Sequence, residues 1–163
     1  MLMRITDKHV LFWGGVFSNF YPSPFIVDGL KFETSEQFFM YHKALYFKDD
    51  IIAEKILTEG IEPKIAKKLG RKVNGFDEDE WTKVRFDVMY NAIFHKFTQN
   101  ETLKKELLSY NNRTFVECSP FDKIWGIGIS QDDINADNEK EWKGLNLLGK
   151  CLTKLRNEIK NAS

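Results

Sequence analysis

Residues 32–44 read FETSEQFFMYHKA, a helix start followed by charged side chains inside an apolar run. Thr34 is placed to cap a helix, and Gln37 three residues later completes the pattern of a capping box. A helix that starts here carries Glu36 and Lys43 on nearly the same side, about two turns apart. Helical side chains lean toward the N-terminus, so Lys43 points back toward Glu36. We therefore predict that a carboxylate and an amine converge on one small group.

A simpler interpretation uses the same two residues. Glu36 would pair with backbone groups at the helix start, and Lys43 would extend its ammonium group to water. Phe38, Phe39 and Met40 lie between them. Charged groups beside so many large apolar side chains need partners or a function, so both interpretations remain open at this point.

The bulk composition predicts one domain that spans residues 1–163. Lys plus Arg and Asp plus Glu number 24 each, so the net charge does not call for a nucleic-acid or membrane partner. Cys118 and Cys151 are far apart and only three histidines are present, which gives no zinc spacing, so we expect no metal. The chain shows no secretory signal and no membrane-length apolar run. We expect a cytoplasmic protein.

Local patterns predict an α+β fold, predominantly helical with a few short strands. Strands are predicted at 10–13 and 115–118, and a hairpin at 25–32 with an Asp-Gly turn. Helices are predicted after capping or start signals at residues 34, 49, 63, 77 and 100, and over 145–159. Residues 132–141 are polar and acidic, and we expect a surface loop there.

Three further features are candidates for ligand contact. Arg85 lies four residues after Trp81 on the predicted long helix, a spacing at which a cation and an indole can bracket a ligand. Trp81 as a core side chain is an equal alternative. Asp122, Trp125 and Gly126 form a turn where a glycine would let the backbone approach a ligand closely. The basic side chains around Gly70, where the short helix that begins at Pro63 ends, either hold an anion or form a solvated face: Lys67, Lys68, Arg71 and Lys72.

Several separated motifs, taken in order, resemble the YbiA-like NADAR family over nearly the whole chain. They are Phe17-Ser18-Asn19-Phe20, residues 32–44, Trp81, Glu117-Cys118-Ser119-Pro120 with Asp122, Trp125-Gly126-Ile127-Gly128, and Gly144-x-Asn146-x-Leu148-Gly149 with Leu152 and Arg156. The resemblance implies the same α+β fold. Two departures are Cys118, where a small Ala is common, and Ser109-Tyr110-Asn111, which replaces the usual Thr-Gly turn.

The resemblance also implies an activity. Members of the family are N-glycosidases that cleave the bond between ribose C1 and a nitrogen. One branch acts on phosphoribosylamino-pyrimidine intermediates of riboflavin synthesis, and the other removes ADP-ribose from guanine in nucleic acid, sometimes beside an ADP-ribosylating toxin. The expected partner is therefore a small ribosylated base or ADP-ribosylated guanine, without a membrane, and the expected cofactor requirement is none.

Site residues follow from the same resemblance. The family's catalytic glutamate and lysine match Glu36 and Lys43, and its stacking aromatics match Trp81 and Trp125. The polar pocket positions match Asn19, Glu117 and Asp122. The rival class is a binding module that recognises ADP-ribose without cutting it, with the basic residues on the phosphates. A plain interaction domain is a third class, supported only by the aromatic content. The substrate branch and the oligomeric state stay open.

Overall fold

The structure is a computed structural model that describes residues 3–163. Within these residues the chain forms five short strands and six α-helices, which confirms the predicted α+β, predominantly helical fold. The strands are β1 (Met3–Ile5), β2 (His9–Phe12), β3 (Phe25–Val27), β4 (Leu30–Phe32) and β5 (Thr114–Glu117). The helices are α1 (Ser35–Tyr46), α2 (Asp50–Ile56), α3 (Pro63–Gly70), α4 (Glu78–Thr98), α5 (Glu101–Leu108) and α6 (Leu147–Ala162).

The chain divides into two compact units. The helical unit is Asn19–Asn100, and the sheet unit contains Glu101–Ser163 together with the described residues up to Ser18. The expectation of a single domain over 1–163 stays a prediction.

Helix α1 is the centre of the helical unit, because α2, α3, α4 and strand β4 all pack against it. The hairpin β3–β4 leads into α1, as predicted. Its turn residues, Asp28 (φ 51°) and Gly29 (φ 78°), are both left-handed, which is the backbone that a tight Asp-Gly hairpin turn requires. The predicted hairpin with its Asp-Gly turn is therefore confirmed, and it ends two residues before the cap at Thr34.

Helix α4 is the longest helix of the described chain, and it begins where the sequence predicted. The side chain of Asp77 accepts a hydrogen bond from the Glu80 amide at 3.1 Å and caps the helix. Its buried positions include Trp81, Met89 and Ile93. Phe94 is exposed on the same helix, because the unit covers only part of it.

The sheet unit is built on three strands in the order β1-β2-β5. Strands β1 and β2 are antiparallel, whereas β2 and β5 are parallel, with Phe12 opposite Glu117. Helix α6 packs on β5, and α5 packs on α6. A Cβ atom at Gly149 would overlap the Phe115 carbonyl oxygen, so the glycine allows this close approach.

Three local features differ from the sequence interpretation. Strand β1 was not predicted, and the segment predicted as a loop holds two short 3-10 turns, Ile134–Asp137 and Glu139–Glu141. Strand β2 ends at Phe12, one residue early, and leaves Trp13 half exposed. No helix among residues 3–163 has the length and apolar character needed to cross a bilayer.

Candidate active site

The first turn of α1 is fixed by hydrogen bonds at both ends of the Gln37 side chain. Thr34 Oγ1 accepts from the Gln37 amide at 3.1 Å, as a capping residue should. Gln37 Oε1 accepts from the Glu33 amide at 2.7 Å, and Gln37 Nε2 donates to the Ile56 carbonyl oxygen at 2.8 Å. The predicted cap is confirmed, with Gln37 reaching one residue further back than in a standard capping box.

Asn19 holds the neighbouring residues of the same turn. Its carbonyl oxygen accepts from the Glu36 amide at 3.1 Å, and its Oδ1 accepts from Ser35 Oγ at 2.8 Å. Glu36 itself is only 6% exposed and lies in the first helical turn, where the helix dipole favours negative charge. The helical unit therefore brings Asn19 directly against the backbone that carries Glu36.

Lys43 lies two turns further along α1 and is half-buried. Its Nζ is 4.5 Å from the centroid of the Phe76 ring. Burial lowers the pKa of Lys43, the charges of Glu78 and Glu36 oppose this, and the charge of Arg71 adds to it. The net shift is downward, so more of the amine is neutral near physiological pH than in a free lysine. Burial thus outweighs the two carboxylates.

Helix α3 packs closely on α1 near this site. A Cβ atom at Gly70 would overlap the Met40 sulfur, so the C-terminal end of α3 lies directly on α1. Arg71 follows at once, and Lys67 places its Nζ 5.7 Å from the Phe20 ring centroid. Lys68 and Lys72 are exposed. The basic residues singled out in the sequence therefore lie in and just after the last turn of α3, beside α1.

Trp81 is 5% exposed and is enclosed by aromatic side chains of the helical unit. Its ring centroid lies 5.3 Å from that of Phe39, and 6.0 Å from those of Tyr46 and Phe47. Arg85 is nearby on α4, with Nη1 3.6 Å from Glu78 Oε1. In this packing Trp81 supports α1, and its role in stacking a ligand with Arg85 stays a prediction.

The sheet unit gathers the other predicted residues in one loop, residues 117–126. Ser119 Oγ accepts from the amides of Phe121 at 3.2 Å and Asp122 at 3.1 Å. Asp122 Oδ1 then accepts from the amides of Ile124 and Trp125, each at 2.9 Å. The carboxylate of Asp122 is therefore used to build the turn that presents the half-buried Trp125.

Gly126 closes this loop against Glu117. A Cβ atom at Gly126 would lie 2.9 Å from the Asp122 carbonyl oxygen and 3.0 Å from that of Glu117. The same Glu117 carbonyl accepts from the Ile127 amide at 2.9 Å. The glycine is needed for backbone packing, and a ligand contact at Gly126 stays a prediction.

Asn146 fixes the loop from the start of α6, and the sequence analysis assigned it no role of its own. Its Oδ1 accepts from the Glu117 amide and its Nδ2 donates to the Phe115 carbonyl oxygen, both at 3.0 Å. It is left-handed, with φ 55° and ψ 40°, a conformation that asparagine tolerates better than most residues. An asparagine immediately before an apolar helical pattern was the available signal.

Cys118 follows β5 directly and is fully buried. Burial, with a smaller effect of the Glu117 charge, raises the pKa of Cys118 to about 12, so this thiol stays protonated and is not a nucleophile. Within residues 3–163, no three His, Cys, Asp or Glu side chains are grouped so that they could hold a metal ion.

The fold and site define a class: a helical α+β protein whose central helix carries a buried carboxylate and an amine of lowered pKa. The chain belongs to the NADAR domain family, whose model matches residues 11–160. The resemblance inferred from the motifs is thereby confirmed.

Individual relatives agree with this membership. The chain is 42% identical to Protein irg-1 of Caenorhabditis elegans over 94% of this chain and 81% of that protein. It is 41% identical to N-glycosidase R617 of Acanthamoeba polyphaga mimivirus, over 94% of this chain and 97% of the relative. The solved structure of the Escherichia coli protein YbiA is similar, with a TM-score of 0.78 and 30% identity, covering 98% of this chain and 89% of YbiA.

Proposed function

We propose that this protein is an N-glycosidase that hydrolyses the bond between ribose C1 and a base nitrogen. Glu36 is the acid and base, and Lys43 is the nucleophile. The observation that carries the proposal is the pair on α1, a buried carboxylate and a half-buried amine whose pKa is lowered chiefly by burial. Membership of the NADAR family and the name of the mimivirus relative, an N-glycosidase, support it.

The first half of the reaction opens the sugar. Glu36 gives a proton to the ribose ring oxygen, the bond between C1 and that oxygen breaks, and the nitrogen lone pair forms a C1–N double bond. The nitrogen then carries the positive charge. A positioned acid of this kind contributes about 10²–10⁴-fold to the rate.

The second half passes through the lysine. The neutral amine of Lys43 attacks C1, the base leaves with a proton, and the sugar is held as an imine on Lys43. Glu36 then takes a proton from water, which adds to C1 and releases the open sugar and the free amine. One water is consumed, and base and sugar are the products.

Other residues bind the substrate in this proposal. Trp125 stacks on the flat base, and Trp81 either stacks or supports Phe39 from behind. Asn19 and Arg85 of the helical unit, and Glu117, Asp122 and Gly126 of the sheet unit, are each proposed to contact the substrate, and Arg71 with Lys67 is proposed to hold phosphate. Both cysteines are buried free thiols, which suits a reducing compartment, and we place the enzyme in the cytoplasm.

The test is a side-by-side hydrolysis assay on ADP-ribosylated guanosine and on the phosphoribosylamino-pyrimidine. Chromatography should detect release of the base from one or both, and the faster substrate identifies the branch. Glu36→Gln should lower kcat by about 10²–10⁴-fold, because the carboxamide cannot donate or accept the proton.

Glu33→Gln is the matched control for this variant. Glu33 lies just before the same helix and pairs with Lys31 at 3.4 Å at the surface, so its loss should leave kcat unchanged. Equal activity of Glu36→Gln and the wild type would remove Glu36 from the reaction. Tight binding of ADP-ribosylated guanosine without release of guanosine would favour the non-catalytic ADP-ribose-binding module instead.

A further inference from the structure

Two large aromatic rings lie together on the surface of the sheet unit. Trp13 is 50% exposed and Phe121 is 83% exposed, and their ring centroids are 6.0 Å apart at an interplanar angle of 56°. The phenylalanines at the centre of this unit, such as Phe17 and Phe115, are at most 1% exposed. Adjacent exposed rings of this size are typical of an interaction site. We call Trp13 and Phe121 the aromatic pair.

The backbone holds the aromatic pair in place. Strands β2 and β5 are parallel, with Phe12 opposite Glu117, and the Cys118 amide donates to the Phe12 carbonyl oxygen at 2.7 Å. Trp13 follows β2 at once, and Phe121 lies in the turn that follows β5. Ser119 Oγ fixes that turn through the Phe121 amide. A preorganised pair loses little conformational entropy when a ligand binds.

Part of the Trp13 ring is open to solvent, because the side chain is half exposed. Gly14 (φ 85°) and Gly15 (φ 70°) follow it, and neither glycine carries a side chain that could cover the ring. A flat group can therefore approach the exposed part of the Trp13 ring.

Two lysines add positive charge to the same part of the sheet unit. Lys123 follows Phe121 by two residues, and its side chain reaches Gly128, where a built Cβ would lie 3.0 Å from Lys123 Cγ. The same Cβ atom built at Gly128 would lie 3.3 Å from Lys143 Cβ. Among residues 3–163, neither ammonium group forms an ion pair with a carboxylate. Both charges are therefore available to an anion.

Exposed rings beside unpaired lysines are the features that proteins use to bind single-stranded nucleic acid, where bases stack on aromatics and phosphates meet cations. We propose that the aromatic pair stacks an unmodified base next to the ADP-ribosylated guanine, in a single strand whose phosphates lie near Lys123 and Lys143. A duplex would keep that base stacked within the helix. This inference rests on the proposed function and selects its nucleic-acid branch, because Phe121 shares a loop with Asp122 and Trp125.

The experiment compares three substrates: ADP-ribosylated guanosine, the same modification within a short DNA single strand, and that strand annealed to its complement. The wild type should show its highest kcat/KM on the single strand. Trp13→Ala and Phe121→Ala should each lower kcat/KM on the single strand by about 5-fold to 150-fold, the loss expected for one stacked base. Both variants should retain the wild-type kcat/KM on ADP-ribosylated guanosine.

Ile134→Ala is the matched control, because Ile134 is also 83% exposed and belongs to the sheet unit but lies in a different turn. It should match the wild type on all three substrates, and Phe121→Tyr should keep the preference for the single strand. Lys123→Ala should reduce the salt dependence of binding to an unmodified single strand, measured by fluorescence anisotropy.

Several outcomes would overturn the inference. Equal losses of kcat/KM on ADP-ribosylated guanosine and on the single strand would make the aromatic pair a structural element. No loss on either substrate would show that the aromatic pair does not bind a base of the strand. Dissociation of a dimer in the two alanine variants, with unchanged kcat/KM on the single strand, would assign the surface to a second copy of the chain.

Failure of the proposed function is a separate result. If the wild type hydrolyses neither ADP-ribosylated guanosine nor the phosphoribosylamino-pyrimidine, that function fails. Fluorescence anisotropy with the unmodified single strand then tests whether the aromatic pair binds a single strand. Weaker binding by Trp13→Ala than by Ile134→Ala would support it, and equal binding would overturn it.

Discussion

The start of α1 and the loop 117–126 hold their candidate site residues in opposite ways. On α1, Thr34, Gln37 and the carbonyl oxygen of Asn19 fix the first turn, and the charges proposed for chemistry lie on two other side chains, those of Glu36 and Lys43. In the loop, the side chains of Ser119 and Asp122 are themselves used to fix the backbone. The comparison teaches that α1 acts through charge, whereas the loop acts through shape. Substitutions of Glu36 or Lys43 on α1 should therefore change activity without loss of stability, whereas substitutions of Ser119 or Asp122 in the loop should change both.

The largest effect is expected at Lys43. Lys43→Met keeps the length and the apolar contacts of the side chain but removes the amine, so turnover should fall below detection while the melting temperature is preserved. Borohydride added during turnover should attach the sugar to Lys43 in the wild type, as a mass increase on that residue.

Lys55→Met provides the control, since Lys55 is an exposed residue at the end of α2 in the same unit. Its turnover and labelling should match those of the wild type. A wild type that turns over fully without any sugar on Lys43 would contradict the covalent role, and Glu36 would then direct water in a single step.

The second-largest effect is expected at Asn146, which holds the loop 117–126 at Glu117. Asn146→Ala removes hydrogen bonds to Glu117 and Phe115 and places alanine at φ 55°, so unfolding in urea should show a loss of about 2–4 kcal/mol. Asn146→Gly loses the same hydrogen bonds but accepts the left-handed backbone, so it should be less destabilising. Equal losses in the two variants would show that backbone conformation does not contribute.

Much of α1 and its surroundings could be predicted because the signals are local. The cap at Thr34 and the turn at Asp28-Gly29 each depend on residues only a few positions apart, and each is present. The pairing of β2 with β5 could not be predicted, since His9 lies opposite Thr114, over a hundred residues away. A three-residue strand such as β1 is also too short to show a period.

In the candidate site, too, local spacing could be predicted from the sequence, whereas contacts made by packing of distant residues could not. Helical spacing was enough to propose that Glu36 and Lys43 face one another, but not to find the charges that act on Lys43. Glu78 and Arg71 reach it through packing of α4 and α3 on α1, which no local pattern encodes. Asn146 contacts Glu117 across nearly thirty positions and was missed for the same reason.

The smallest effect is expected from the charges of Glu78 and Arg71, which act on the pKa of Lys43 in opposite directions. The rate should rise with pH as Lys43 loses its proton, so the acidic limb of the pH–rate profile reports its pKa. The charge of Glu78 raises that pKa, so Glu78→Gln should move the limb to lower pH. The charge of Arg71 lowers it, so Arg71→Gln should move the limb to higher pH.

Added salt and a control variant make this last test more specific. Glu78 and Arg71 are both exposed, so the two displacements should shrink as salt screens them. Glu80→Gln changes another exposed carboxylate in the first turn of α4, one that does not act on Lys43, and its profile should match the wild type. Displacements of the same sign at Glu78 and Arg71 would mean that the limb belongs to a group other than Lys43, and α1 would no longer be the region that acts through charge.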